Sequence, residues 1–176
     1  FVDLRYPELK LCGPWSIVGK HLTELEYPTD SLNFLVAIGD NTLRLKLHKE
    51  ALACGFEAAK IIHPSASVSE FAEVGKGVVI FANAVVNINA SISDCAIINT
   101  AATVDHDCKI SEAVHLSPGV NLAGEVSVGK ETWVGIGASV IQQIKIAENV
   151  IVGAGAVVIS DIPKNTTVVG LPARPL

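Results

Sequence analysis

A parallel β-helix preceded by a small α/β segment is the fold class that this sequence predicts. Aliphatic residues recur every six positions from residue 62 onward. Small residues recur in a second phase of the same period. A strand–helix–strand pattern occupies the residues before the repeat.

The aliphatic ladder begins at Ile62 and steps through Val68, Val74, Ile80, Val86 and Ile92 to Val158, and all 17 positions hold Ile, Val or Leu. These types make up about a third of the segment, so chance would produce such a register on the order of once in 10⁸. Four residues after each ladder site stands Ala (eight times), Val, Ile, Cys or Thr, never a charge. A helix would repeat its buried face every 3.6 residues and a strand every two, so neither accounts for six. A short strand plus a corner does, with one large aliphatic inward and a small residue filling the bend. Stacked at three strands per coil, the 17 strands give nearly six coils, a prism about 27 Å tall at roughly 4.8 Å per coil.

The preceding residues are read in order. "FVDL" is the end of an earlier unit, and "NFLVAIGD" (33 to 40) is a buried strand. "NTLRLKLHKEALACG" is a helix with Leu43, Leu47 and Ala51 on its inner face and Gly55 as its stop. "AAKII" is a second strand running into His63-Pro64, where the prism starts. The predicted organisation is therefore 1–60 as a partial α/β domain, 61–163 as the β-helix and 164–176 as a C-terminal tail, with Arg174 frayed.

Composition excludes several classes. The net charge is −5, without the clustered Lys and Arg of a nucleic-acid surface. No apolar run approaches the roughly 20 residues that span a bilayer. Cys12, Cys54, Cys95 and Cys108 form no C-x-x-C pair, which points to reduced thiols in a cytoplasmic protein and to packing roles for Cys95 and Cys108.

Two stretches carry candidate chemistry. "VDHDC" (104 to 108) sets His106 between two aspartates at a corner the ladder does not constrain. Taken alone, such a histidine is most often a solvated turn residue and its aspartates ordinary turn formers. In "AIGDN", Gly39, Asp40 and Asn41 lie between strand and helix, where a phosphate can approach a helix start. An ordinary capped turn fits the same residues equally well. His21, His48 and His63 suggest no function.

Together these stretches are more specific. "VAIGDN", "IIHPSASVS", "NTAATVDHDCKISEAVHLSPGVNLAGEVSVG" and the closing "IVGAGAVVISDIPKNTTVVGLPARPL" resemble the hexapeptide-repeat sugar acetyltransferases of the sialic acid O-acetyltransferase and nucleotide-amino-sugar N-acetyltransferase family. The bacillosamine-type enzymes acting on UDP-4-amino sugars are the most similar. "DHDC" followed nine residues later by "H-x-x-P-G" is the most specific part of the match.

The resemblance implies a left-handed coil and a Rossmann-like N-terminal domain for the nucleotide, whose first β-α unit is not in this sequence. It implies His106 as general base with Asp107 raising its basicity. His115 and the backbone of Gly124 would contact the thioester end of acetyl-CoA, with Ile136 and Ala154 along that co-substrate. It also implies a nucleotide-amino-sugar substrate at Gly39, Asp40 and Asn41, no metal, and a homotrimer with active sites between prisms. The chemistry suits these residues: an attacking amine must lose a proton, and imidazole, with a pKa of about 6.5, accepts one near neutral pH. Three alternatives stand beside this reading: sialic acid O-acetylation, a γ-type zinc hydratase needing three histidine ligands, and a non-catalytic β-helix.

Overall fold

The computed structural model describes residues 1–25 and 32–176. From Ile61–Ile62 to Val157–Val158, a two-residue strand begins every six residues. Each strand as far as Ser139–Val140 pairs in parallel with the strand eighteen residues later, ladder residue against ladder residue: Val86↔Val104↔Leu122 on one face, Ile98↔Leu116↔Val134 on another. Three sheets result. The first face contains Ile97–Ile98, His115–Leu116 and Trp133–Val134; the second contains Thr103–Val104; the third contains Lys109–Ile110. The ladder residues point inward, and Val104, Ile110, Leu116 and Val134 are at most 1% exposed. Each such burial is worth about 1.5 to 3 kcal/mol, so a core nearly free of aromatics suffices.

The corners show what the small residues do. From residue 77 to 155, one residue in every six has a left-handed backbone with φ between 53° and 69°, among them Asn89, Cys95, Asp107 and Ala113. The glycines that directly follow ladder residues act differently. A Cβ on Gly135 would lie 2.7 Å from the backbone nitrogen of Ala154, so that glycine permits contact between coils.

The last strands extend the prism past residue 163. Thr167–Val169 pairs with Ile151–Val152, and Arg174–Pro175 folds back antiparallel on it. The expected fraying of Arg174 is therefore not seen, because its backbone is part of a sheet.

Before the prism, β1 (Leu11–Cys12) and β2 (Trp15–Ser16) form a hairpin, and Val2 bridges to Gly19. A βαβ unit follows: β3 (Asn33–Phe34) pairs in parallel with β4 (Glu57–Ala58), joined by α1 (Asn41–Ala53). The paired part of the expected 33–40 strand is only two residues long, because its partner ends at Ala58 and the chain enters the prism at Ile61. Asp40 caps α1 by accepting the Leu43 N–H at 2.7 Å. At the other end, Gly55 at φ 88° donates to Leu52 O and Phe56 to Ala51 O, the Schellman ending its glycine predicts.

The face that α1 buries differs from the expected one. Leu43 is 40% exposed, whereas Asn41, Arg44, Leu45, His48 and Ala51 are buried. The helix lies along one column of prism corners, Gly77, Cys95, Ala113 and Glu131, and the carbonyls of the last three take donors from Arg44 and Asn41 rather than meeting a leucine stripe. Leu45 packs on Cys95 and Ala113, and the His48 ring rests where a Cβ on Gly77 would be.

Candidate active site

His106 stands at the corner between the second and third faces, held by side chains from its own coil and the one before. Asp105 Oδ1 accepts the His106 N–H at 2.8 Å and the Asn87 Nδ2–H at 2.8 Å. Asp107 Oδ2 accepts His106 Nδ1–H at 2.8 Å, and its Oδ1 accepts Asn89 Nδ2–H at 3.2 Å. The carboxylate can only accept, so the proton is on Nδ1 and the lone pair on Nε2. The Asp107 hydrogen bond raises the His106 pKa above its ordinary value, and His106 in turn lowers that of Asp107.

One coil further on is Gly124. A Cβ there would lie 2.5 Å from both Cε1 and Nε2 of His106, so only glycine lets the imidazole lie flat against the coil. Among the described residues, no acceptor takes the Gly124 N–H. Val104 and Cys108, at the two ends of the cluster, are fully buried scaffold. The Cys108 thiol donates to Ala123 O, and burial raises its pKa, so both observations agree with a packing role.

His115 occupies the first face. It is 8% exposed and stacks on Trp133 at 5.1 Å between ring centroids. The Trp133 indole N–H donates to Ser117 Oγ at 2.7 Å. Asn99 Oδ1 accepts the Thr100 N–H, which turns its Nδ2 toward His115 Nε2 at 3.1 Å. Nε2 is therefore an acceptor and the ring proton is on Nδ1, a buried atom with no protein partner. Burial, followed by the charge of Arg44, pushes the His115 pKa down to about 4, so the ring is neutral at neutral pH. Beside it runs a largely apolar groove of about 540 Å³, lined by His115, Trp133, Gly135, Ile136, Gly153 and Ala154 among others.

The predicted residues thus fall into two groups. His106, Asp107 and Gly124 share one corner; His115, Ile136 and Ala154 share one groove. A full coil is eighteen residues, so the nine between His106 and His115 are half a turn. His106 sits on the edge opposite the face that carries His115. In one prism the two groups face away from each other.

The comparisons with known proteins bear on the same geometry. No protein-family model matches the chain, and no curated protein matches it. Among solved structures, the acetyltransferase domain of PglB from Neisseria gonorrhoeae FA1090 is 41% identical with a TM-score of 0.91, covering 93% of this chain and 80% of that one. The same domain in complex with acetyl coenzyme A is 39% identical at a TM-score of 0.95, covering 100% and 85%. PerB from Caulobacter crescentus, in complex with CoA and GDP-perosamine, is 47% identical at a TM-score of 0.80 over 81% and 69%. The chain belongs to the acetyl-CoA-dependent hexapeptide-repeat sugar N-acetyltransferases. Its β-helix is the left-handed coil of that family.

In this acetyltransferase the predicted nucleotide turn has mixed use. Gly39 is open, with nothing within 4 Å of a Cβ placed there. Asp40 serves as the helix cap. Asn41, expected to meet substrate, is instead buried against the prism, donating to Glu131 O at 3.0 Å and Thr132 O at 3.2 Å. Sequence reasoning missed Asn89, Asn99 and Trp133. Asn89 and Trp133 lie one coil from Asp107 and His115, so a search at eighteen-residue spacing finds them. Arg44 had no such signal. Among the described residues, no three His, Cys, Asp or Glu side chains are placed to share a metal ion, and no helix is long and apolar enough to cross a membrane.

Proposed function

We infer that the acetyltransferase moves the acetyl group of acetyl-CoA onto the 4-amino group of a nucleotide-linked 4-amino-4,6-dideoxy sugar. The observation that carries this reading is the His106–Asp107 pair at 2.8 Å, with Nε2 free beside a bare glycine backbone. The neutral amine attacks the thioester carbonyl and a C–N bond forms. The amine proton passes to His106 Nε2. Negative charge gathers on the carbonyl oxygen, for which the Gly124 N–H, left without a protein acceptor, is the available donor. The C–S bond then breaks and the thiolate takes the proton back from His106. The half-coil separation supports a homotrimer in which the His106 corner of one chain faces the His115 groove of the next.

PerB in complex with CoA and GDP-perosamine supports an amino-sugar acceptor over sialic acid O-acetylation. The test is thiol release from acetyl-CoA with UDP- and GDP-linked 4-amino-4,6-dideoxy sugars and with sialic acid. Release with an amino sugar alone is expected. Release with sialic acid alone would replace this reading with the O-acetyl one.

The pair also predicts a pH profile. A general base must be neutral, so kcat/KM rises with pH through the His106 pKa, and Asp107 places that limb above the ordinary histidine value. Asp107→Asn removes the carboxylate charge, so the limb should move to lower pH and the plateau should fall. Rates measured from about pH 5 to 9 decide it. A limb that stays in place would show that Asp107 does not act on His106.

A further inference from the structure

The geometry points to Arg44 as a positioning residue that holds the nucleotide turn at Ile38 and Gly39 in register with the prism. This rests on the reading of that turn as part of the nucleotide site. The Arg44 side chain is 1% exposed, and all five of its N–H groups are used. Nε donates to Cys95 O at 3.0 Å, and Nη2 donates to Ala113 O at 2.8 Å and to Asn41 Oδ1 at 2.7 Å. Nη1 donates to Ile38 O and Gly39 O, each at 3.0 Å. One planar group therefore grips two successive prism corners and both carbonyls of the turn, and through Asn41 it reaches a third corner at Glu131.

The two sides of this clamp are not equally rigid. Cys95 N–H is already bonded to Lys76 O at 2.8 Å and Ala113 N–H to Asp94 O at 3.0 Å, so the prism corners hold their shape without Arg44. The turn has less. The β3–β4 pairing covers only Asn33 and Phe34, and the Asp40 cap fixes the helix rather than the residues before it. Loss of the guanidinium frees the turn and leaves the prism standing. It also leaves buried carbonyls without donors, which is unfavourable. Lysine is no substitute, because three N–H groups on a point charge cannot serve five acceptors arranged around a plane.

The experiment compares steady-state constants for wild type, Arg44→Met, Arg44→Lys and Gly39→Val, using the best nucleotide amino sugar from the acceptor panel and acetyl-CoA. Gly39→Val adds a side chain into open space, so it tests the turn without disturbing the fold. For Arg44→Met the expected result is a rise of about tenfold or more in KM for the nucleotide sugar, with KM for acetyl-CoA and kcat within about twofold. Arg44→Lys should give a smaller rise of the same kind, and it decides the matter if the methionine variant does not fold. If Gly39→Val raises KM for the sugar but a folded Arg44 variant does not, the clamp is wrong and the turn stands. Should Gly39→Val leave that KM unchanged, the turn itself is not the nucleotide site. A parallel rise in both KM values would mark general loosening and overturn the assignment.

Discussion

His106→Ala lowers kcat by about 10² to 10⁴-fold, the usual contribution of a positioned base, while KM for acetyl-CoA changes little. The groove beside His115 is lined from another face, so removing the imidazole leaves it intact. The corner itself also survives. Asp107 keeps its bond from Asn89, Asp105 keeps its bond from Asn87, and the Glu125 N–H to His106 O bond is main chain. The remaining rate comes from holding amine and thioester together. Circular dichroism should show an unchanged β-helix, and steady-state kinetics should show the loss almost entirely in kcat. An unchanged kcat at neutral pH would remove His106 from the mechanism.

The prism was legible because its own stacking imposes the period. A coil closes only if each side has the same length, so Ile62 to Val158 had to march in step, and every ladder strand falls where the step places it. The His106–Asp107 contact was legible too, being between chain neighbours. What periodicity of six concealed was the side of the prism: residues 106 and 115 both lie between ladder sites, and only their position within eighteen residues shows that they point apart. Helix α1 was misread for a different reason. Apolar pattern finds faces that bury hydrocarbon, whereas this helix docks through Asn41 and Arg44 on backbone carbonyls of the prism corners and lays the His48 ring on bare Gly77. The recipient surface is assembled from corners eighteen residues apart, so no local stretch announces it.

That half-coil separation makes the strongest demand on the assembly, and co-assembly of two disabled chains tests it. His106→Ala lacks the base but keeps its groove. Ala154→Trp keeps the base and fills the groove at an exposed position, away from the core. Each alone is expected to be nearly inactive. In the proposed homotrimer, co-expression in equal amounts brings an intact His106 corner from one chain against an intact groove from its neighbour at some contacts. Random mixing makes about a quarter of all sites whole, so about a quarter of wild-type activity should return. Mixing wild type with the doubly substituted chain separates the models further: about a quarter of the activity remains if sites are shared, and about a half if each chain carries its own. Recovery absent in the first mixture and a half in the second would place both histidines in one chain's site, against the geometry of the prism. Recovery in the first and a quarter in the second would mean that no single chain of this acetyltransferase contains a complete active site.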